Sequence, residues 1–252
     1  MKLSRLVRFG VRHLAGYQSR AVGINLTRRC NLACDYCRIV DNSRDKFERE
    51  LSVAQWQAII GRFVDRGYQH FVFTGGEPTV YRGLSDLVGW TSERAMTSLI
   101  SNTTFLDEAR FLELRHLDFL TFSFDTLRTD DAVFEKNPRR RLAFLAEQCR
   151  LHGITPSAIV TVTSQNLHEI EPMVRALDDV GITAMLSLIH SDPDPHFDFR
   201  NHTPELEFRT PEQLAALEAL AARLKALKRE GVGVAESDFF LDNMDDYAHG
   251  SF

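Results

Sequence analysis

The order of apolar and polar positions along the chain predicts a regular alternation of strands and helices. Apolar residues alternate with other residues over 21–26, and further short apolar runs cover residues 70–74, 97–101, 118–124, 157–162 and 184–189. Apolar residues at helical spacing separate these runs, over residues 53–66, 84–93, 106–116, 139–152 and 167–180. Strands and helices that alternate with short turns are typical of parallel sheets with right-handed crossovers. The pattern therefore predicts an α/β fold with six strand–helix units.

This alternation divides the chain into three expected parts. Residues 1–19 carry apolar residues at helical spacing together with several Lys and Arg, which predicts an amphipathic N-terminal helix. Residues 20–209 contain the six units, and residues 210–252 contain an Ala- and Leu-rich helix followed by a weakly patterned tail. We expect the N-terminal helix to pack on the outside of the main domain. The alternative is weak contact with an anionic membrane surface.

Composition and charge exclude several classes of protein. Hydrophobic residues make up 44% and charged residues 26% of the 252 residues, as in ordinary globular domains. The sequence has no apolar run long enough to cross a membrane and no secretory signal pattern. The formal net charge of -5 provides no basic field that would attract nucleic acid. We therefore expect a cytoplasmic protein without a nucleic-acid partner, peripheral at the membrane if its N-terminal helix binds lipid.

The distribution of the four cysteines favours a metal centre over disulfides. Cys30, Cys34 and Cys37 lie on one loop directly after the first predicted strand, whereas Cys149 lies on a predicted helix. Three thiolates on one loop suit three irons of a [4Fe–4S] cluster, which leaves the fourth iron open for another ligand. Structural zinc is the alternative, but it would need a fourth protein ligand. We predict that Cys149 is a buried thiol of the core.

Polar and glycine-containing segments recur where the predicted strands end. The second strand is followed by Gly75, Gly76, Glu77 and Pro78, the third by Asn102, and the fourth by Ser123 and Asp125. The carboxyl ends of parallel strands meet at one edge of a sheet, and folds of this class carry their chemistry there. These segments and the cysteine loop are therefore the candidate functional residues.

Together, these motifs resemble those of the radical SAM superfamily. The CxxxCxxC spacing, with the aromatic residue Tyr36 before its last cysteine, matches the cluster motif of that family. Residues 75–78 match its GGEP motif, and residues 123–125 are similar to its ribose-contacting segment. Residues 101–103 are similar to a common turn of the family, although Thr103 stands where Gly is usual. The resemblance covers residues 20–190 and implies a partial (β/α)6 TIM-like barrel with parallel strands.

The resemblance also implies two cofactors, a [4Fe–4S] cluster and S-adenosylmethionine. The cluster would be held by Cys30, Cys34 and Cys37. Glu77 would accept a hydrogen bond from the ammonium group of S-adenosylmethionine, and the glycines before it would let the backbone approach that cofactor. The full set implied in binding S-adenosylmethionine is Tyr36, Gly75, Gly76, Glu77, Pro78, Asn102, Ser123, Asp125 and Thr161, with Thr163 as the alternative to Thr161. No further catalytic residue follows from the sequence.

The reaction implied by the resemblance is reductive cleavage of S-adenosylmethionine to a 5′-deoxyadenosyl radical, which abstracts hydrogen from a substrate. Such an oxidoreductase or transferase would take its electron from an external donor of the flavodoxin or ferredoxin type. The substrate class stays open between a peptide, a lipid and a small-molecule precursor. The alternative hypothesis is a non-catalytic or zinc-binding β/α scaffold that retains the cysteine motif.

Two C-terminal segments carry separate expectations. Residues 190–208 are rich in Asp, Pro, His and Phe and follow the last predicted strand, so we expect this loop to lie beside the substrate pocket, with Phe197 and Phe199 closing on it. The acidic and histidine residues of the loop are expected to face solvent and not to bind a second metal. The segment 239–246 resembles the approach to the C-terminal extension of some family members, so the resemblance leaves open a shortened form of such a protein or a member of a single-cluster group.

Overall fold

The structure, a computed structural model, describes residues 20–37, 50–127, 138–189 and 204–249. One sheet contains six strands in the order β1-β2-β3-β4-β5-β6. The strands are β1 (Ala21–Asn25), β2 (His70–Thr74), β3 (Met96–Ser101), β4 (Phe119–Ser123), β5 (Thr155–Val162) and β6 (Thr183–Leu188). The neighbouring pairs from β1 to β4, and the pair β5–β6, are parallel. The strand order follows the chain order, as the expected TIM-like barrel requires.

Helices lie between the strands and after the last one. They are α1 (Val53–Asp65), α2 (Leu84–Ser92), α3 (Glu108–Glu113), α4 (Pro138–His152), α5 (Leu167–Asp178), α6 (Pro211–Arg229), α7 (Asp238–Asp242) and α8 (Met244–His249). A short 3-10 helix, Pro78–Val80, follows β2. The predicted α/β class and the six strand–helix units are confirmed. The predicted ends differ from the observed ones mostly by one or two residues, while α3 is shorter than residues 106–116.

Local sequence signals explain where two of these helices begin. Ser52 and Gln55 form a reciprocal capping box at the start of α1, and Thr210 and Gln213 form another at the start of α6. Pro211 occupies the first turn of α6, where its missing N–H group costs no hydrogen bond. Both starts are therefore set by residues that can be read directly from the sequence.

The chain divides into two compact units. Among the described residues, the first unit contains 20–32, 50–122 and 147–156, and the second contains 33–37, 123–127, 138–146, 157–189 and 204–249. The division falls inside the cysteine loop, between Leu32 and Ala33. Cys30 therefore belongs to the first unit, and Cys34 and Cys37 belong to the second.

The strands of the first unit present two different faces. Phe71, Phe73 and Leu99 are fully buried on one face, where the parallel register places Phe73 beside Leu99. The opposite face carries mostly half-buried side chains, including Val72 and Thr74.

The tail after α6 contains structure that the sequence pattern did not predict. Val234 forms a parallel bridge with Ala184 of β6, and the N–H of Ala235 donates to the carbonyl oxygen of Ala184 at 2.8 Å. The Glu236 carboxylate accepts a hydrogen bond from the N–H of Leu186 at 2.5 Å. The short helices α7 and α8 then pack on α6. In the second unit, this tail therefore extends the hydrogen bonding of β6.

Several sequence-based expectations fall on residues that the structure does not describe. The N-terminal helix of residues 1–19 lies outside the described residues, and so do Phe197 and Phe199 of the 190–208 loop. The described end of that loop includes Glu207 and Phe208, which are both buried. None of the helices that the structure describes is both long enough and apolar enough to span a bilayer.

Candidate functional site

The first half of the cysteine loop, residues 27–32, is bonded to the turn after β2. The N–H of Gly76 donates to the carbonyl oxygen of Thr27 at 2.8 Å, and the N–H of Glu77 donates to that of Arg29 at 2.8 Å. These bonds continue the ladder between β1 and β2 beyond the ends of the two strands. The backbone leading into Cys30 is thereby fixed by the backbone of the GGEP segment.

Gly75 and Gly76 are required by this close approach of two backbones. A Cβ atom on Gly75 would lie 2.3 Å from the carbonyl oxygen of Thr27, and a Cβ atom on Gly76 would lie 2.3 Å from that of Arg29. Gly75 also has a φ of 140°, which favours glycine. The family resemblance implies that these glycines let the backbone approach a cofactor. The structure shows that they admit the cysteine loop itself.

Glu77 is a fully buried carboxylate between the ends of β2 and β3. Its Oε1 atom accepts hydrogen bonds from the N–H of Thr79 at 2.9 Å, from the Thr79 hydroxyl at 2.5 Å and from the Ser101 hydroxyl at 2.8 Å. Its Oε2 atom accepts one from the N–H of Asn102 at 2.7 Å. A buried charge needs such donors to offset its lost hydration. Pro78, also buried, begins the 3-10 helix that Glu77 caps.

Asn102 connects this turn to the first cysteine. Its amide nitrogen Nδ2 donates to Oδ1 of Asn31 at 2.9 Å and lies 3.9 Å from Sγ of Cys30. The N–H of Leu32 also lies 3.4 Å from the same sulfur. Two N–H groups are therefore directed at the Cys30 sulfur, an arrangement that stabilises a thiolate.

An ion pair between Arg29 and Glu50 holds the outer side of the first half of the loop. The Arg29 guanidinium binds both carboxylate oxygens of Glu50, at 2.7 and 2.8 Å, and the Thr27 hydroxyl donates to the same carboxylate. Burial alone would raise the pKa of Glu50, but the hydrogen bonds from Arg29 and Thr27 outweigh it and hold the pKa below its usual value. The loop entrance is therefore held by a charge pair as well as by backbone bonds.

Thr103 adopts a backbone conformation that is rare for its residue type. Its φ is 60°, in the left-handed region, and the residue is buried. Branched residues are unfavourable there, at a cost of about 1–3 kcal/mol. The N–H of Thr103 donates to the Ser101 hydroxyl at 2.9 Å, which helps to hold the turn. Thr103, which stands where the resemblance expects Gly, is therefore held in a strained backbone conformation.

The second half of the cysteine loop, residues 33–37, belongs to the second unit and is held by a side chain. The Tyr36 hydroxyl donates to Oδ2 of Asp125, at the end of β4. Burial raises the pKa of the Tyr36 hydroxyl far above its ordinary value, and the negative charge of Asp125 adds to the rise, so the hydroxyl stays protonated. Within the loop, the N–H of Cys37 donates to the carbonyl oxygen of Cys34 at 2.9 Å.

Asp125 also joins the ends of β4 and β5 within the second unit. Its Oδ1 atom accepts a hydrogen bond from the N–H of Thr161 at 3.0 Å, and the N–H of Phe124 donates to the carbonyl oxygen of Ile159 at 2.9 Å. Thr161 and Ser123 are both half-buried. The structure thus brings Tyr36, Asp125 and Thr161 together.

Cys149 lies apart from this chemistry. It is fully buried in α4, and burial raises the pKa of its thiol to about 12. A protonated, buried thiol is a poor metal ligand because metals bind the thiolate. The prediction of a core thiol is confirmed.

Comparison with known proteins identifies the family. The family model described as the radical SAM superfamily matches residues 24–177, which is more than half of the chain. The chain belongs to the radical SAM superfamily. Radical SAM proteins use a [4Fe–4S] cluster and S-adenosylmethionine, and the match includes the CxxxCxxC motif, the GGEP segment and Asp125.

Curated relatives and solved structures are similar over most of the radical SAM region. Fe-coproporphyrin III synthase of Methanosarcina barkeri is 30% identical over 164 residues, 63% of this chain and 41% of the relative. PqqA peptide cyclase of Bradyrhizobium diazoefficiens is 26% identical over 166 residues, 64% of this chain and 43% of the relative. This chain therefore spans less than half the length of either curated relative.

The structural similarity supports the fold. Streptococcus suis SuiB bound to the precursor peptide SuiA has a TM-score of 0.67 at 16% identity, over 94% of this chain and 54% of that one. This likeness confirms the predicted partial TIM-like barrel. SuiB has also been solved with S-adenosylmethionine bound.

The residues present fit an iron–sulfur cluster better than a single metal ion. Cys30, Cys34 and Cys37 are all partly exposed and free of disulfides. Structural zinc needs four protein ligands, whereas a cluster takes one thiolate at each iron and can leave one iron open. The N–H groups directed at Cys30 suit the cluster.

Sequence reasoning missed some residues that hold the site. Asn31 and Thr79 carry no sequence-based expectation, although Thr79 bonds to Glu77 and Asn31 bonds to Asn102. Glu50, which pairs with Arg29, carries no expectation from the sequence either. A local signal existed for Thr79 alone, since Glu77 stands two positions before it and can cap the turn.

Proposed function

We propose that this chain is the catalytic core of a radical SAM enzyme. When bound and reduced, the cluster and S-adenosylmethionine supply a 5′-deoxyadenosyl radical that abstracts a hydrogen atom from the substrate. The observation that carries the proposal is the cysteine loop itself. It has three thiols at the family spacing, and its first half is fixed to the GGEP turn by two backbone hydrogen bonds.

In this proposal, Cys30, Cys34 and Cys37 hold the cluster, and the polar groups around them orient the second cofactor. The Oε2 atom of Glu77 accepts one hydrogen bond from the described residues, so it keeps acceptor capacity for an ammonium group. Ser123 and Thr161 stand at the ends of β4 and β5, where they can contact the ribose and the adenine. The buried surroundings of Glu77 exclude water from this side of the site.

We propose a peptide as the substrate. None of the six strands contains Asp, Glu, Lys or Arg, so their half-buried positions offer hydroxyl, amide and apolar groups and the imidazole of His70. These groups can hydrogen-bond to a neutral polyamide such as a peptide. A phosphate or a polycarboxylate would instead need cationic side chains as partners. PqqA peptide cyclase and the SuiB–SuiA complex, which are similar to this chain, support the same class.

The remaining partners are proposed from the reaction. Cleavage of the sulfonium needs one electron, and we assign its delivery to a flavodoxin or ferredoxin type of protein. The basic residues of the 1–19 segment support weak contact with an anionic membrane as a secondary proposal.

The cluster assignment can be tested with four single Cys→Ala variants. After anaerobic reconstitution, the wild type should contain about four irons and four sulfides per chain, the composition of one [4Fe–4S] cluster. Replacement of Cys30, Cys34 or Cys37 should remove most of both, while Cys149→Ala, the matched control, should keep the wild-type content. A cluster that survives all three loop variants would contradict the assignment.

The substrate class can be tested with the reconstituted wild type, dithionite and S-adenosylmethionine. Short neutral peptides, Fe-coproporphyrin and GTP should be supplied separately, and 5′-deoxyadenosine should be quantified by chromatography. We expect peptides alone to raise its formation above the slow uncoupled rate. A stimulation by Fe-coproporphyrin or GTP, but by no peptide, would overturn the substrate proposal and leave the cluster proposal intact.

A further inference from the structure

The contacts of Asp125 point to a role different from the one its motif suggests. By the family resemblance, this residue would contact the ribose of S-adenosylmethionine. In the structure, Oδ2 accepts a hydrogen bond from the Tyr36 hydroxyl, and Oδ1 accepts one from the N–H of Thr161 at 3.0 Å. Both carboxylate oxygens are thus engaged with the protein itself.

Tyr36 lies between Cys34 and Cys37, so a bond that fixes Tyr36 also fixes the position of these two cysteines. Two residues separate Cys34 from Cys37, and the N–H of Cys37 donates to the carbonyl oxygen of Cys34 at 2.9 Å. Through this tight turn, a displacement of Tyr36 would be passed on to both cysteines. The aromatic ring could be anchored by packing alone, but the hydroxyl adds a directed bond to a charged acceptor, which is the stronger kind of hydrogen bond.

We infer that Asp125 is a positioning residue for the cluster, acting through the Tyr36 hydroxyl. The carboxylate ties the Cys34–Cys37 turn to the ends of β4 and β5, within the second unit. The inference rests on the proposed function, because it assumes that these cysteines hold a cluster. It predicts that loss of either partner loosens the cluster before S-adenosylmethionine is added.

The test compares Tyr36→Phe, Asp125→Ala and the double variant as reconstituted full-length chains. The rate of iron loss to a chelator is measured anaerobically, and the affinity for S-adenosylmethionine is measured separately. Each single variant should lose iron about tenfold faster than the wild type, since a hydrogen bond to a charged group is lost. The double variant should be no faster than the faster single variant, because both changes remove the same bond. Asp125→Asn, which keeps an acceptor oxygen, should restore part of the retention.

Tyr81→Phe is the matched control. It removes another tyrosine hydroxyl, which donates to the carbonyl oxygen of Leu51 at 2.8 Å, and it should leave the rate of iron loss unchanged. If Asp125→Ala weakens binding of S-adenosylmethionine while both single variants retain iron like the wild type, the inference is wrong and Asp125 is a cofactor ligand. Additive effects in the double variant would equally contradict it. A wild type that forms no cluster would instead refute the proposed function.

Discussion

The two halves of the cysteine loop are held by different kinds of bond. The half that contains Cys30 is tied to the GGEP turn through backbone groups of Thr27 and Arg29, and Asn31 adds an amide contact to Asn102. The half that contains Cys34 and Cys37 is tied to Asp125 through one tyrosine hydroxyl. Backbone bonds do not depend on side-chain identity, whereas a side-chain bond can be lost by one substitution. The second half should therefore depend on one specific pair of residues, whereas the first half is held by several backbone and side-chain bonds.

The largest effect should come from Glu77→Ala, which acts on the first half. The substitution leaves the donors of Thr79, Ser101 and Asn102 without their buried acceptor. We expect a loss of about 3–4 kcal/mol in the free energy of unfolding of the metal-free chain, measured in urea. Glu93→Ala, at an exposed ion pair with Arg94, should change it by less than about 1 kcal/mol. Equal effects of the two substitutions would show that Glu77 does not organise the turn.

Gly76→Ala should have the next largest effect because it forces two backbones apart. The added Cβ would meet the Arg29 carbonyl oxygen at 2.3 Å. We expect a loss of about 1–3 kcal/mol in the free energy of unfolding, with lower iron content after reconstitution. Gly89→Ala is the matched control, since its Cβ would meet nothing within 4 Å and the residue lies inside α2. The free energy of unfolding of that variant should rise by up to about 1 kcal/mol. A similar loss of stability in both variants would contradict the role assigned to Gly76.

A smaller effect is expected at Thr103, where the strained turn can be probed by two substitutions. Thr103→Ala keeps a Cβ at a φ of 60°, whereas Thr103→Gly removes it. Both lose the buried Thr side chain, so their difference reports the backbone conformation. The Gly variant should be more stable than the Ala variant by about 1 kcal/mol in urea unfolding. If the Ala variant is as stable as the Gly variant, Thr103 is not strained.

The smallest effect should be the pH dependence contributed by Glu50. Its pKa is lowered in the folded chain, so the stability it contributes is fully present above the unfolded pKa of about 4.3 and is lost as pH falls through the folded pKa. Because Arg29 is well exposed, solvent screening limits this contribution to about 0.5–1 kcal/mol. The free energies of unfolding of the wild type and Glu50→Gln, measured in urea, should therefore differ at pH 7 and become equal towards pH 3. A constant difference between the two across that range would show that the charge of Glu50 is irrelevant.

The fold and the outline of the site can be predicted from the sequence because their signals are local. Apolar alternation located the six strands, and short motifs marked the strand ends that carry Glu77, Asn102 and Asp125. What those residues contact could not be predicted. Tyr36 and Asp125 are 89 residues apart, and Asn31 and Asn102 are 71 apart. No local periodicity in the sequence can therefore indicate that either pair is in contact.

The short helices of the tail were missed for a related reason. Helix α7 contains five residues and α8 contains six, which is too short for a clear apolar period. Tertiary packing on α6, through buried residues such as Leu241 and Met244, stabilises them. The glycines of the GGEP segment were recognised, but their neighbours Thr27 and Arg29 follow only from the paired backbones of β1 and β2.

Electron paramagnetic resonance of the reduced, reconstituted chain tests the central claim most directly. The claim is that three cysteines of one loop hold a cluster whose remaining iron is open to S-adenosylmethionine. The reduced wild type should show the signal of one [4Fe–4S] cluster, and addition of S-adenosylmethionine should change its g-values because a new ligand reaches the open iron. The Cys149→Ala variant should behave in the same way. A cluster signal that S-adenosylmethionine leaves unchanged, or one that persists without Cys30, Cys34 and Cys37, would contradict the account.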